Sequence, residues 1–469
     1  MRSRGGRWRN VRDQVLSQVW PAPAFALMVA VALGVMLPSF DSRLVAWLPD
    51  GVDRYLFRAG PDTARGVLAA VAGSLVTVTS LTFSLTVITL QLASSQYSPR
   101  VLRTFTQDRV VHVTLAVLLG TFTFAMTVMQ TIRTDFNGRS AFVPRVSVTL
   151  AYVLALASVI TLVLFLAHLS RKIRIESMLR DVHRRATDAI EAVFPERRQP
   201  ELPPVAVGPD GRETVLLHAD TSGFLIFIDE TQLMAAATEV DGMIHVFRQP
   251  GDSVIADTPV AIAWPLSRSC FDEDAYTSLR RRASHAVRVG FERNGGSDVA
   301  FGLRQIVDIA VRALSPGIND PTTAVHALSH ASALLCQLAD RSTGPRVRCD
   351  ESGRARLVLD QPDLVALLGL VIAQPSHYGA QDPDVLARLL ALLQEVAWST
   401  TVPRERAAVR EELDALQATA REQRFRPADQ VRLEKGVAAV HDALQGQWSV
   451  PAPQHPGRTD RDRVSGRRA

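Results

Sequence analysis

Four long apolar stretches near the start of this 469-residue chain constrain its fold more than any other feature. A helix that crosses a lipid bilayer needs about 20 mostly apolar residues. Four stretches are close to this length or exceed it: residues 21–37, 68–93, 110–132 and 146–169. Beyond residue 170, apolar residues alternate with charged ones, as they do in soluble proteins. We therefore predict a four-helix transmembrane domain over residues 21–170, followed by a water-soluble domain.

Basic residues flank these stretches unevenly, and their distribution predicts an orientation. Loops rich in Lys and Arg stay on the cytoplasmic side of a membrane. Arginines are concentrated in the N-terminal arm (residues 1–20), in the short loop before the third stretch and directly after the fourth. An even number of spans also returns the chain to its starting side. We expect both termini to be cytoplasmic and the chain to lie in the lipid bilayer of a bacterial plasma (inner) membrane.

The second apolar stretch carries many small polar residues and no charged residue between Arg65 and Arg100. Helical spacing places five polar residues along one face: Ser74, Thr77, Ser84, Gln91 and Ser95. A second face carries Thr79, Thr82, Thr86, Thr89 and Gln96. Such side chains either bond within their own helix or to neighbouring helices, or they line a hydrated path in an oligomer. The first set is therefore our candidate pore-lining set.

The soluble part is predicted to be a mixed α+β domain. Residues 171–212 are expected to form a connecting helix and a Pro- and Gly-rich linker. Residues 213–264 contain short alternating runs typical of strands, and residues 265–446 are mainly helical in pattern, with one helix predicted from Phe271 to Val289. The polar, Pro- and Arg-rich residues 447–469 are predicted to be a disordered tail.

One turn in the β-rich part carries a resemblance of its own. The turn Gln249-Pro250-Gly251-Asp252 and its flanking runs are similar to the hairpins of lipoyl-like barrel-sandwich domains. Those domains carry their cofactor on a lysine at the turn, and this turn has none. The resemblance therefore implies a small barrel-sandwich-like part without a carrier function.

A polar cluster is predicted in the helical part. Arg304, Asp308 and Arg312 are four residues apart and share one helix face, and the turn that follows adds Asn319 and Asp320. The cluster is either a structural or subunit-interface set of ion pairs, or a ligand site at the start of the next helix, where N–H groups bind anions. Because Asp320 is expected to cap that helix itself, we favour the first interpretation.

The same region carries a family resemblance. Residues 301–324, FGLRQIVDIAVRALSPGINDPTTA, resemble the signature of the bacterial predicted membrane proteins of domain of unknown function 2254. Residues 74–103, including QLASSQYSPR, resemble the second membrane helix of that family. The resemblance covers most of residues 15–445 and implies an architecture without an established activity. One stretch differs: the family tends to have Arg-Thr-x-x-Gln-Asp before FGLRQ, whereas residues 293–298 read RNGGSD.

Several classes of function lack support in the sequence. It contains no P-loop, GxSxG, HExxH or strand-linked GxGxxG pattern, so we expect no enzyme, no catalytic residue and no cofactor. The three cysteines lack metal-binding spacing, and His326 and His330 share a helix face without an identifiable third ligand, so we expect no metal. The basic residues form no stripe with interleaved aromatics, so we expect no nucleic acid partner.

Two functional hypotheses stay open. The first is a homo-oligomeric channel or transport protein for an ion or small molecule, with the second helix lining the path and the cytoplasmic domain gating it. The second is a membrane-anchored cytoplasmic sensor or scaffold that binds a ligand or a protein partner without transport.

Overall fold

The structure is a computed structural model that describes residues 21–47, 56–96, 108–134, 141–172, 175–197, 209, 211–293, 296 and 298–448. The predicted N-terminal arm, residues 198–208 of the predicted linker and nearly all of the predicted tail lie outside these residues. The chain divides into two compact units, Met1–Met178 and Leu179–Ala469, which are described separately below.

The described residues of the first unit form four long helices. They are α1 (Pro21–Trp47), α2 (Pro61–Gln96), α3 (Arg109–Thr131) and α4 (Arg145–Lys172). Each contains a segment long and apolar enough to cross a bilayer. The prediction of four spanning helices is thus confirmed by length and composition. The helices extend beyond the predicted apolar stretches, because residues such as Asp62 and Arg171 continue the helix past the hydrocarbon region.

Helix α3 forms the centre of the first unit and packs against each of the other three helices. Its contact with α1 is close: a Cβ added at Gly34 would lie 2.7 Å from the Cβ of Thr127. Small residues allow such an approach between membrane helices, whose association depends on packing rather than on exclusion of water. Phe124 and Val128 of α3 are fully buried in the resulting core.

Two polar contacts tie distant parts of this bundle together. The carboxylate of Asp41 in α1 accepts a hydrogen bond from the backbone N–H of Val146 at 2.9 Å, and so caps the start of α4. Deeper in the bundle, the hydroxyl of Ser158 donates to that of Thr121 at 3.1 Å, with both side chains buried. Each contact satisfies polar groups where water is excluded.

The second unit begins within helix α5 (Ile175–Val193), which follows α4 after two residues. A β-rich segment comes next, with strands β1 to β6 and two helices in chain order. They are β1 (Val215–His218), β2 (Gly223–Ile228), α6 (Glu230–Glu239), β3 (Gly242–Val246), β4 (Ser253–Val254), β5 (Pro259–Pro265), α7 (Glu273–Ala286) and β6 (Val287–Gly290).

The rest of the second unit is mainly helical and contains one β-hairpin. Its elements are α8 (Val299–Ala313), α9 (Pro321–Ala339), β7 (Arg346–Cys349), β8 (Ala355–Leu359), α10 (Leu364–Tyr378), α11 (Pro383–Ser399), α12 (Pro403–Arg421) and α13 (Pro427–Leu444). Helix α9 packs against α8, α10 and α11, and its Leu334 and Leu335 are fully buried. The predicted mixed α+β character of the soluble part is confirmed.

Within the described part of the chain, the strands form two sheets. The larger has the order β1-β5-β3-β8-β7, in which only β3 and β8 run parallel, with Ile244 opposite Leu357. The smaller has the order β4-β2-β6. The hairpin β7–β8 thus joins a sheet whose other strands come from residues 215–265. The predicted barrel-sandwich-like arrangement is not confirmed.

One predicted helix is wrong at both ends. The expected helix from Phe271 to Val289 begins at Glu273, because the carboxylate of Asp272 accepts the backbone N–H of Ala275 at 2.8 Å and caps it. It ends at Ala286, and the next four residues form β6, which pairs with β2. The β-branched residues of β6 suit this strand, and its pairing with distant β2 overrides the local helical pattern.

Candidate functional site

The candidate pore-lining residues lie on the outward surface of α2. Ser74, Thr77, Ser84 and Gln91 are all exposed in the isolated four-helix unit. The side chain of Ser95 lies outside the part that the structure describes. The structure therefore places four of the five candidates on a surface that the other three membrane helices leave uncovered.

The second polar face of α2 points the other way. Thr82 and Thr89 are buried against the bundle, and Thr79 and Thr86 are half-buried. The side chain of Gln96 is not among those described. Because successive residues turn by about 100° around a helix axis, the two polar sets lie on opposite sides of α2.

Six hydroxyl groups of α2 are bonded within the helix. Each donates to the carbonyl oxygen four residues earlier, at distances from 2.7 to 3.2 Å. The six donors are Ser74, Thr77, Thr79, Thr82, Thr86 and Thr89. This pattern satisfies each hydroxyl proton without another helix. It leaves the oxygen lone pairs available as acceptors.

The outward face of α2 carries small residues in its first half, whereas Leu81 and Ile88 are exposed beside its second half. A Cβ added at Gly66 or at Gly73 would meet no atom within 4 Å, and Ala70 and Ser80 between and beyond them are exposed. Faces with small residues at this spacing allow a second membrane helix to approach closely. The face is thus both polar and able to accept a neighbour.

The predicted polar cluster of the second unit begins on α8. Arg304, Asp308 and Arg312 are half-buried along this helix, and Asp308 and Arg312 each interact with another group. The turn then brings the chain back on itself: the N–H of Asp320 donates to the carbonyl of Ala313 at 2.8 Å. The end of α8 and the start of α9 are therefore joined directly.

Asp320 caps α9 as the sequence predicts. Its carboxylate accepts the backbone N–H of Thr323 at 3.1 Å and the hydroxyl of the same residue at 2.6 Å. The side-chain hydrogen bond from Thr323, followed by its backbone hydrogen bond, lowers the pKa of Asp320 below 3.8. Asn319 before it is exposed, with a left-handed φ of 49°. The start of α9 is thus occupied by its own cap. The assignment of the cluster to an interface or to a ligand stays a prediction.

The glycine of the FGLRQ motif has a packing role. A Cβ added at Gly302 would lie 2.7 Å from the Cβ of Ala186 in α5. Any larger side chain would separate α8 from α5. The motif therefore positions the helix that follows the membrane domain in sequence.

The segment that departs from the family pattern keeps an ion pair between its two ends. Arg293 Nη2 lies 2.6 Å from Oδ2 of Asp298, whose side chain is only 1% exposed. The other oxygen, Oδ1, accepts the N–H of Phe301 at 2.9 Å and caps α8. Burial raises the pKa of Asp298, and the charge of Arg293 opposes that shift. The two replaced positions, 294 and 297, lie outside the described residues.

The structure assembles a histidine cluster that the sequence does not reveal. The ring centroids of His183 and His330 are 5.1 Å apart, and those of His326 and His330 are 5.4 Å apart. His183 comes from α5 and the other two from α9. In the sequence, the one indication that His183 could join the cluster is its position directly after Val182, on the apolar side of α5. Among the described residues, no group of three His, Cys, Asp or Glu side chains is arranged to hold a metal ion.

Comparison with known proteins identifies relatives along almost the whole chain. The family described as "Predicted membrane protein (DUF2254)" matches residues 16–395. An uncharacterized protein of Mycobacterium bovis is 34% identical over 442 residues, which cover 92% of this chain and 82% of the relative. An uncharacterized protein of Mycobacterium tuberculosis matches with the same identity and coverage. No solved structure matches.

Proposed function

The chain belongs to the DUF2254 family of predicted membrane proteins, and we propose that it forms homo-oligomers in which the outward face of α2 lines a hydrophilic path across the membrane. The observation that carries this proposal is the position of Ser74, Thr77, Ser84 and Gln91. They are exposed on a helix apolar and long enough to span the bilayer.

The chemistry of this face favours a cation or a small polar solute. The hydroxyls of Ser74 and Thr77 donate to their own helix, so their oxygens present lone pairs rather than protons to the outside. Gln91 adds a carbonyl oxygen and an amide. Oxygen atoms of this kind replace the hydration shell of a permeating ion in selectivity filters. Between Arg65 and Gln96 there is no charged side chain to repel either sign.

A path needs more than one copy of the chain. One face of one helix cannot enclose water, and a polar face against lipid tails leaves the Gln91 amide without partners. Contact between the outward faces of several α2 helices covers this surface and surrounds a central axis. In this arrangement both termini are cytoplasmic, and the second unit controls the path from the cytoplasm through α5.

Flux through reconstituted protein tests this proposal. The full-length protein is placed in liposomes, and ion flux or conductance is measured for the wild type and for Ser74→Leu, Ser84→Leu and Gln91→Leu. We expect the wild type to conduct and the Ser84→Leu and Gln91→Leu variants to lose most of the flux, because Leu removes the oxygen ligands and narrows the path.

Ser39→Leu is the matched control. Ser39 lies on α1, is exposed, and donates its hydroxyl to the carbonyl four residues earlier, at 3.1 Å, as Ser74 does. Its replacement should leave flux unchanged. Absence of wild-type flux under all ionic conditions, or equal loss in Ser39→Leu, would contradict the proposal.

A second candidate function is a membrane-anchored cytoplasmic sensor or scaffold. The observation that favours it is that the six bonded hydroxyls of α2 need no water or ion to satisfy their protons. This alternative predicts that the protein shows no ion flux. It also predicts that the temperature of its thermal unfolding rises when a ligand or partner binds the second unit. A monomer in light scattering that lacks flux but gains thermal stability with a ligand would select it.

A further inference from the structure

The three clustered histidines connect the first half of α5 to the signature helix α9. His183 stacks edge-to-face on His330 with an interplanar angle of 64°, and His326 lies one helical turn before His330 at 39°. His326 is exposed and the other two are half-buried, so protons reach the cluster from solvent. The Nδ1 atom of His183 is buried and makes no hydrogen bond among the described residues.

Three nearby basic side chains lower the pKa of His330. The groups that act on it are His183 and Arg180 from α5 and His326 from its own helix. Helix α8 also packs against α9 and carries Arg304, Asp308 and Arg312, of which Asp308 and Arg312 each interact with another group. Helix α11 brings Arg388 and Glu395 to Ser332, two residues further along α9 and therefore on another face.

The first half and the C-terminal end of α5 are held in place by different contacts. Its C-terminal end is fixed by arginines from elsewhere in the unit: Arg341 donates to the carbonyl of Phe194 at 2.9 Å, and Arg346 to that of Val193 at 3.4 Å. The first half is held by apolar packing, in which Leu179 and Val182 are fully buried, and by the histidine contact. This first half is also the end joined to α4 through residues 173 and 174.

We propose that His183, His326 and His330 form a proton-sensitive contact that holds the first half of α5 against α9 while His330 is neutral and releases it when His330 becomes protonated. A neutral His330 ring packs against its neighbours, whereas a positive charge on this ring loses hydration on burial and is repelled by the guanidinium of Arg180. The C-terminal end of α5 stays fixed, so residues near Ile190 act as the hinge. Because α5 follows α4 so closely, the released segment is the one that connects the two units.

The expected pH window follows from the electrostatics of His330. Its pKa is lowered below 6.5, first by burial and then by His183, His326 and Arg180. In the released state this pKa returns toward 6.5. The neutral contact therefore has its full stability above pH 6.5, and the stability is lost as pH falls from 6.5 through the lowered pKa. Acidification of the compartment that faces the second unit is the stimulus.

Hydrogen exchange of the full-length protein in lipid nanodiscs tests this contact. Exchange is measured at pH 7.5 and 5.5 and corrected for the intrinsic effect of pH on the amide rate. In the wild type, we expect amides of residues 179–186 to open several-fold more at pH 5.5 than at pH 7.5, because protonation of His330 favours the released state. Amides of residues 190–197 should not change.

Three variants make the test specific. His183→Gln/His326→Gln/His330→Gln should abolish the pH effect. Arg180→Gln should move its midpoint to higher pH, because one repelling charge is removed. His441→Gln, at an exposed position of α13, should behave as the wild type.

Equal exchange at both pH values in the wild type, or the same increase in the triple variant, would overturn the proposal. If the triple variant does not fold, the midpoint shift of Arg180→Gln decides: an unchanged midpoint overturns the proposal as well. The readout is the opening of α5 rather than flux, so the result is independent of the proposed path along α2.

Discussion

At the scale of single residues, the side chains of the signature motif (residues 301–324) have mainly structural roles. Gly302 allows α5 to approach α8, Asp320 caps α9, and the turn before α9 closes on Ala313. The cap by Asp320 could be predicted from the sequence, because Asp before an apolar periodic run is a standard N-cap. The partner of Gly302 could not, because Ala186 is more than 100 residues away in sequence.

The cap of α9 by Asp320 should contribute to stability in a way that depends on pH. We expect Asp320→Ala to lower the stability of the second unit by about 1 kcal/mol. The pKa of Asp320 is lowered in the folded state. The stabilisation by its carboxylate is therefore fully present above pH 3.8 and is lost as the pH falls through the lowered pKa.

Chemical denaturation of the full-length protein at pH 7 and at a series of acidic pH values measures this difference. Asp220→Ala, at an exposed loop position, is the control and should have no effect. A difference between wild type and Asp320→Ala that persists unchanged below pH 3 would contradict the assignment.

At the scale of helices and strands, the sequence predicts element types well and long-range partners poorly. Residues 213–264 contain short strands and residues 265–446 are mainly helical, as their patterns predict. The end of α7 differs, because β6 forms only through pairing with distant β2. The contact between His183 and His330 could not be predicted either, because it forms through packing between helices, which local periodicity does not encode.

The packing of α5 on α8 predicts the effect of a substitution. We expect Gly302→Val to destabilise the second unit by about 1–3 kcal/mol, because its side chain would overlap with Ala186. A lower thermal transition and faster exchange in residues 179–193 would show this.

Gly369→Val is the matched control for this substitution. Gly369 also lies within a helix, but the nearest atom to an added Cβ is Oε1 of Glu412 at 3.6 Å, an ordinary contact. Equal stabilities of the two variants would mean that the contact between Gly302 and Ala186 does not hold α5 in place.

At the scale of the whole molecule, the chain combines a four-helix unit suited to a bilayer with a larger mixed α+β unit. The first could be predicted because 20-residue apolar stretches have few alternative folds. The outward position of the Ser74–Gln91 face could not, because periodicity shows that a face exists but not which neighbours cover it. The absence of enzyme activity, the homo-oligomer and the cytoplasmic location of both termini stay predictions.

In the assembled protein, we expect the outward face of α2 to be in contact with water. The most direct measurement is the reactivity of single cysteines introduced at this face with a membrane-impermeant, charged thiol reagent. The full-length protein is reconstituted in liposomes, and the labelled positions are mapped by mass spectrometry, which separates them from Cys270, Cys336 and Cys349.

We predict that Ser84→Cys and Gln91→Cys react with this reagent. Val153→Cys, at an exposed position within the apolar span of α4, should not react, because a thiol in contact with lipid does not ionise. Protection of Ser84→Cys and Gln91→Cys to the same extent as Val153→Cys would contradict the account.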